Sequence, residues 1–111
     1  MQFKATHTFA KTFKRLRKRY RNLEKDINVL RLALMKNPMA GMPLGAGLYK
    51  IRLASSDMSK GKSGAFRVIY YLMLDADTIV LLDLYTKNEK ENVPISEIKK
   101  ILEQYLGEGG S

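Results

Sequence analysis

The chain of 111 residues has no cysteine and only one histidine, His7. Without a thiol there are no disulfide staples, no thiolate nucleophile and no cysteine-based zinc site. The histidine pair expected of a metal-free nuclease is missing too, and a lone imidazole where a strand gives way to a helix reads as structural. No run approaches the ~18 consecutive apolar residues of a membrane span, and the basic N-terminus lacks the apolar block of a signal peptide. The sequence therefore predicts a cytoplasmic protein with no membrane partner. The eleven acidic residues are scattered, and no His/Asp/Glu group has the spacing of a metal site, so neither metal nor cofactor is expected.

What the chain does hold is positive charge. Twenty Lys and Arg give a net charge of +9, which favours a polyanionic partner through counterion release. The charge is unevenly placed: residues 1–67 carry sixteen basic and three acidic residues, residues 68–111 four and eight. With 45% hydrophobic residues the chain has the material for one core. One domain over residues 1–106 is expected, followed by a flexible tail over 107–111.

Alternation around Phe3 and Ala5 suits a short strand over residues 2–6. From Phe9, apolar residues recur every three or four positions through Leu34, the pattern of a helix with one buried stripe, with Thr8 as its N-cap. A helix of that length is rare in a small domain, so a break is expected near residues 20–22, giving a helical hairpin. Pro38, Gly41, Pro43, Gly45 and Gly47 mark a loop over residues 37–47. Strands are expected over 48–53, 65–74 and 78–87, the last two joined by Asp75-Ala76-Asp77, as an antiparallel meander. An amphipathic segment with Ile95, Ile98, Leu102 and Tyr105 on one face follows Pro94. The fold class is α+β: a short strand and helical hairpin packed on a small antiparallel sheet, with a C-terminal helix.

Side chains alternate across a strand, so parity sorts the three strands into two faces. Tyr49, Ile51, Leu53, Phe66, Val68, Tyr70, Leu72, Val80, Leu82 and Leu84 form the apolar face assigned to the helices. Lys50, Arg52, Arg67, Tyr71, Asp83, Tyr85 and Lys87 then share the other, open face. Such a polar face also occurs in sheets that merely meet solvent. Cations with aromatic rings, however, are what a single-stranded RNA site uses to hold phosphate and stack bases.

RNA cleavage without metal needs a base for the 2′-hydroxyl, a cation for charge developing on phosphate, and an acid for the leaving 5′-oxygen. Lys50 or Lys87 can serve as base, since neighbouring cations favour a neutral lysine. Arg67 keeps its proton and suits charge stabilisation by bidentate contact. Tyr85 can donate a proton or stack a base. Ser56-Asp-Met-Ser-Lys-Gly-Lys-Ser63 lacks only the first glycine of a P-loop, but a strand follows it instead of the helix such a loop must open. Lys60 and Lys62 in that segment remain candidates for contact with RNA backbone, as do Tyr71 and Lys90.

The run LYKIRLASSDMSKGKSGAFRVIYYLMLDADTIVLLDLYTKNEKENV resembles the RelE/HigB superfamily, in particular its HigB-like branch, through K-I-R, G-K-x-G-x-x-R-V-I-Y-Y and Y-x-K-N-E-K-E-N. The resemblance implies a toxin of a type II toxin–antitoxin system, a ribosome-dependent mRNA endonuclease that is silenced by a cognate antitoxin. Lys50 and Arg52 match the family's basic pair, and Arg67 its phosphate-contacting arginine. Tyr85 and Lys87 fit Y-x-K, whereas the later arginine and near-terminal tyrosine of RelE itself fall at Asn88 and Pro94. Either Tyr85 or Lys87 then replaces the missing acid, or the ribosome supplies more of the alignment. The rival reading is a ParE-like toxin that acts by binding DNA gyrase.

Overall fold

The computed structural model describes residues 1–58 and 64–109. The elements run β1 (Gln2–Ala5), α1 (His7–Leu16), α2 (Leu23–Lys36), β2 (Met42–Gly45), β3 (Leu48–Ala54), β4 (Ala65–Met73), β5 (Thr78–Thr86) and α3 (Ile95–Gly107). The α+β class and the order of elements agree with the sequence reading, but the sheet is larger and mixed. Its order is β1-β5-β4-β3-β2, with β1 parallel to β5 and the other pairs antiparallel. β2 lies inside the segment expected to be a loop. It is short, carries Pro43 and sits at the sheet edge, where a missing N–H is tolerated.

The helical break is earlier and wider than expected. α1 stops at Leu16, and turns over residues 17–22 precede α2. The cap of α1 is Thr6 rather than Thr8: its hydroxyl accepts from the Phe9 N–H at 3.0 Å and donates to the Leu82 carbonyl at 2.8 Å, pinning the helix start to β5. α3 reaches Gly107, one residue into the expected tail.

Two cores flank the sheet. On one side α1 and α2 cover Leu53, Phe66, Val68, Tyr70, Leu72, Ile79, Leu81 and Leu84. On the other, Val93 and α3 cover Leu48, Ile69, Val80, Leu82 and Tyr85. β5 has strands on both edges and helices on both faces, so all nine of its residues are buried, which accounts for the nearly unbroken apolar run TIVLLDLYT. The parity expected for β5 fails in its first half. Ile69 pairs with Asp83 but Tyr70 with Leu81, so Leu82 is an extra residue in a β-bulge. Ile79 and Leu81 therefore face α1 and α2, whereas Val80 and Leu82 lie under α3.

Candidate active site on the cationic sheet face

The register places the predicted residues in adjacent rows. Lys50, Ile69 and Asp83 are cross-strand partners, and Arg52, Arg67 and Tyr85 form the next row. Direct partners of this kind hold their Cβ atoms about 4.5–5.5 Å apart. Arg52 and Arg67 stand directly opposite each other, which concentrates positive charge at one point of the sheet face, and the guanidinium fork suits bidentate contact with phosphate. Arg52 is exposed, while Lys50 and Arg67 are half-buried.

The face is less open than parity suggested. Asp83 is 3% exposed and Tyr85 1%, because α3 and the segment leading to it fold over this side. The Tyr85 hydroxyl is buried with no hydrogen-bond partner among the described residues. Burial pushes the phenol above its ordinary pKa, against the pull of the Arg67 charge and with some help from Asp83. Burial likewise raises the Asp83 carboxyl, opposed by the Leu84 N–H and by Lys90. That N–H, at the bulge, donates to Asp83 Oδ1 at 2.8 Å, so the carboxylate satisfies a backbone group beside the irregular step.

The loop over residues 87–92 brings further groups to the site. Lys50 Nζ donates to Asn92 Oδ1 at 3.2 Å. Lys90 Nζ lies 3.9 Å from Asp83 Oδ2 and 6.0 Å from the centre of the Tyr85 ring. Glu89 fastens the loop from behind: its Oε2 accepts from Arg15 at 2.7 Å, and its Oε1 accepts from the Thr86 N–H at 3.1 Å and hydroxyl at 3.2 Å. Burial acts to raise the Glu89 pKa, but the Thr86 N–H, Arg15 and the Thr86 hydroxyl outweigh it and leave the carboxyl below its ordinary range.

Lys50, Arg52, Arg67 and Tyr85 are thus brought together. Lys87 stands one residue past β5, exposed. Tyr71 shares a row with Leu48 and Val80, beyond the Lys50 row, and its ring packs into the core beneath α3 and close over Gly47. Lys60 and Lys62 lie outside the described residues. His7 is exposed at the start of α1. The roles of Asn92, Glu89 and Arg15 were not foreseen. Glu89 and Asn92 belong to the K-N-E-K-E-N motif, but nothing in their spacing tells that the loop folds back over the sheet.

A five-stranded mixed sheet with two helices on one face, one on the other and cations at one end of the latter is a RelE-like arrangement. It is similar to a solved structure of the E. coli toxin RelE, an arginine-to-alanine double mutant in the free state, with a TM-score of 0.56 at 16% identity, covering 81% of this chain and 86% of that one. At such identity the likeness is one of fold. Residues 3–105 match the family described as the RelE toxin of the RelE / RelB toxin-antitoxin system, and the chain belongs to that family. Membership implies a cognate antitoxin partner.

Proposed function

We propose that the protein is a ribosome-dependent mRNA endonuclease that inhibits translation. The observation that carries this reading is the row Arg52, Arg67, Tyr85, which sets two cations against each other beside a phenol that has no hydrogen-bond partner among the described residues. In the reaction, Lys50 takes the 2′-hydroxyl proton, the 2′-oxygen attacks phosphorus, and the P–O5′ bond breaks. Tyr85 protonates the departing 5′-oxygen, leaving a 2′,3′-cyclic phosphate and a 5′-hydroxyl. Arg67 and Arg52 hold the non-bridging oxygens as their charge grows. Lys87 and Lys90 hold the backbone of the flanking nucleotides.

The covering loop supports dependence on the ribosome. Tyr85 must be uncovered before it can meet RNA. The polar contacts between the loop and the site include the Lys50–Asn92 hydrogen bond and the long Lys90–Asp83 ion pair, worth about 1 kcal/mol or less each, while Val93 and Ile98 supply the apolar part of the cover. A substrate whose phosphate replaces Asn92 and Asp83 as partner of Lys50 and Lys90 removes the polar part, and exposing Tyr85 further requires Val93 to lift from it. The ribosome then contributes what the free protein lacks, an mRNA held with its 2′-hydroxyl in line.

The test is primer extension on a reporter mRNA in a purified translation system, with and without ribosomes, comparing the wild-type chain with Arg67→Ala. Cuts at defined codon positions that need ribosomes and vanish in the variant are expected. Intact message throughout overturns the reading and directs attention to gyrase.

A further inference from the structure

The end of α1 and the turn after it carry charge that neither core accounts for. Residues 14–21 hold six cations and no acid, all six exposed, and of this stretch Leu16 and Tyr20 alone pack into the core. A run of cations by itself is often only a solvated surface. Here it borders a cavity of about 430 Å³, within the ~300–1,000 Å³ range of sites that enclose a small ligand. Arg15, Arg19 and Tyr20 line the cavity from one side, and Thr86, Asn88 and Glu89 line it from the end of β5 and the turn that follows.

The walls of this cavity are fixed in place. The Tyr20 ring stands edge-on to Phe66 with 5.2 Å between centres, and the Arg19 guanidinium carbon lies 5.4 Å from the centre of the same tyrosine ring. Opposite them, the Glu89 N–H donates to the Thr86 carbonyl at 3.1 Å and the Thr86 N–H donates to Glu89 Oε1 at 3.1 Å, so the turn that presents Asn88 is closed by backbone and side chain together. Arg15 gives one N–H to Glu89 at 2.7 Å; a guanidinium carries five, so it can hold the turn and still donate to an anion. The cavity also lies close to the candidate active site. Thr86 follows Tyr85 and pairs with Phe66, one step beyond the Arg67–Tyr85 row, and Asn88 is at most about 10 Å of chain from Tyr85. At about 3.4 Å per stacked nucleotide, an RNA strand with a phosphate at that row reaches the cavity within about three nucleotides.

We propose that this cavity seats one nucleotide of a single-stranded RNA, outside the cleavage site, and gives the protein a base preference. Arg15 takes the phosphate, the base stacks on the Arg19–Tyr20 pair, and the Asn88 amide reads the base edge. The occupant follows from the mixture of groups. An acidic protein segment would satisfy the two arginines and leave the ring and the amide unused, whereas a nucleotide uses the cation, the stacking surface and the amide at once. The proposal rests on RNA being the ligand and not on the protein cutting it, so the nuclease reading and this one can fail separately.

The experiment is fluorescence anisotropy of the intact chain with labelled RNA hexanucleotides of A, C or U at one fixed salt concentration. The wild type should bind one of the three at least about fivefold more tightly than the weakest, the discrimination expected of one read base. Asn88→Ala should remove that preference, and Arg19→Ala should weaken every sequence by at least about fivefold through the lost stack. Lys36→Ala, the same loss of charge at the exposed end of α2, should stay within about twofold of the wild type. Asn88, Arg19 and Lys36 are exposed, so all three variants should keep the wild-type circular dichroism. Equal affinity for the three RNAs, no binding to any of them, a preference that survives Asn88→Ala, or an Arg19→Ala protein that binds no more weakly than Lys36→Ala overturns the proposal. So does a loss of binding to anionic phospholipid vesicles or to the antitoxin in Arg19→Ala while RNA binding persists. A base preference that Asn88→Ala removes, in a protein that leaves ribosome-bound message intact, keeps the nucleotide site and removes the nuclease; cut message with hexanucleotides bound alike by the wild type and Asn88→Ala does the reverse.

Discussion

Tyr85 and Tyr70 permit one substitution to be made twice with opposite expected outcomes. Both are buried tyrosines at 1% exposure or less, on β5 and β4. The Tyr70 hydroxyl donates to the Pro38 carbonyl at 2.7 Å and accepts from the Gly41 N–H at 3.1 Å, whereas the Tyr85 hydroxyl has no partner among the described residues. Leaving a buried polar group unpaired costs about 1–3 kcal/mol. Tyr70→Phe strands two backbone groups and should destabilise the protein by about 2 kcal/mol. Tyr85→Phe removes a group already stranded and should stabilise it by about 1 kcal/mol, roughly a 4 °C rise in Tm. If Tyr85 is the proton donor, the same change should slow ribosome-dependent cleavage by about 10²–10⁴-fold. The assays are thermal or urea unfolding and single-turnover cleavage of ribosome-bound message. A Tyr85→Phe protein that is less stable than wild type and cuts at an undiminished rate would refute both the orphan hydroxyl and its catalytic role.

Other consequences can be checked separately. Arg67→Ala should cut message about 10²–10³-fold more slowly with its fold intact by circular dichroism, the loss typical of one removed charge-stabilising donor. Because Arg67 lowers and Asp83 raises the Tyr85 phenol, Arg67→Gln should move its ultraviolet titration upward and Asp83→Asn downward; a shift in the same direction for both would contradict the assigned electrostatics. The folded-state pKa of Glu89 is depressed, so its stabilising contribution is complete above the unfolded value and lost as pH falls through the folded one. Wild-type Tm should therefore drop more steeply than that of Glu89→Gln below about pH 4.3, over a difference of about 0.5–1 kcal/mol, and parallel curves would refute the clasp. Gly47→Ala should lower Tm measurably, since φ there is +82° and the new Cβ would lie 2.9 Å from the Tyr71 ring.

Periodicity and strand parity carried much of this architecture, and they failed where tertiary context decides. Local pattern identified the helices, yet it could not tell that the Thr6 hydroxyl, bonded to Leu82 at 2.8 Å, would start α1 two residues before Thr8. β1 was legible as a strand, but its parallel pairing with β5 joins residues 76 apart and leaves no local mark. β2 was hidden by Pro43 and three glycines, which suit an edge strand and a loop equally. Lys50, Arg52, Arg67 and Tyr85 fell on one face because parity holds within β3, within β4 and beyond the bulge of β5. The covering of that face was missed because Ile98, Leu102 and Tyr105 show that the last helix must pack somewhere without showing on which side of the sheet.

The bulge at Leu82 works as a phase shifter. Before it, even-numbered residues of β5 point toward α3; after it, odd-numbered ones do. The strand is thereby divided into two segments whose alternations are set independently, one by the demands of the two cores and the other by the row that ends in Tyr85. A variant lacking Leu82 would restore a regular strand and still present Tyr85 on the cationic face, whereas one residue inserted between Leu84 and Tyr85 would turn the phenol toward α1 and α2 and take it out of the core beneath α3. Sequence change is thus tolerated unequally along β5, with greater freedom ahead of the extra residue than beyond it.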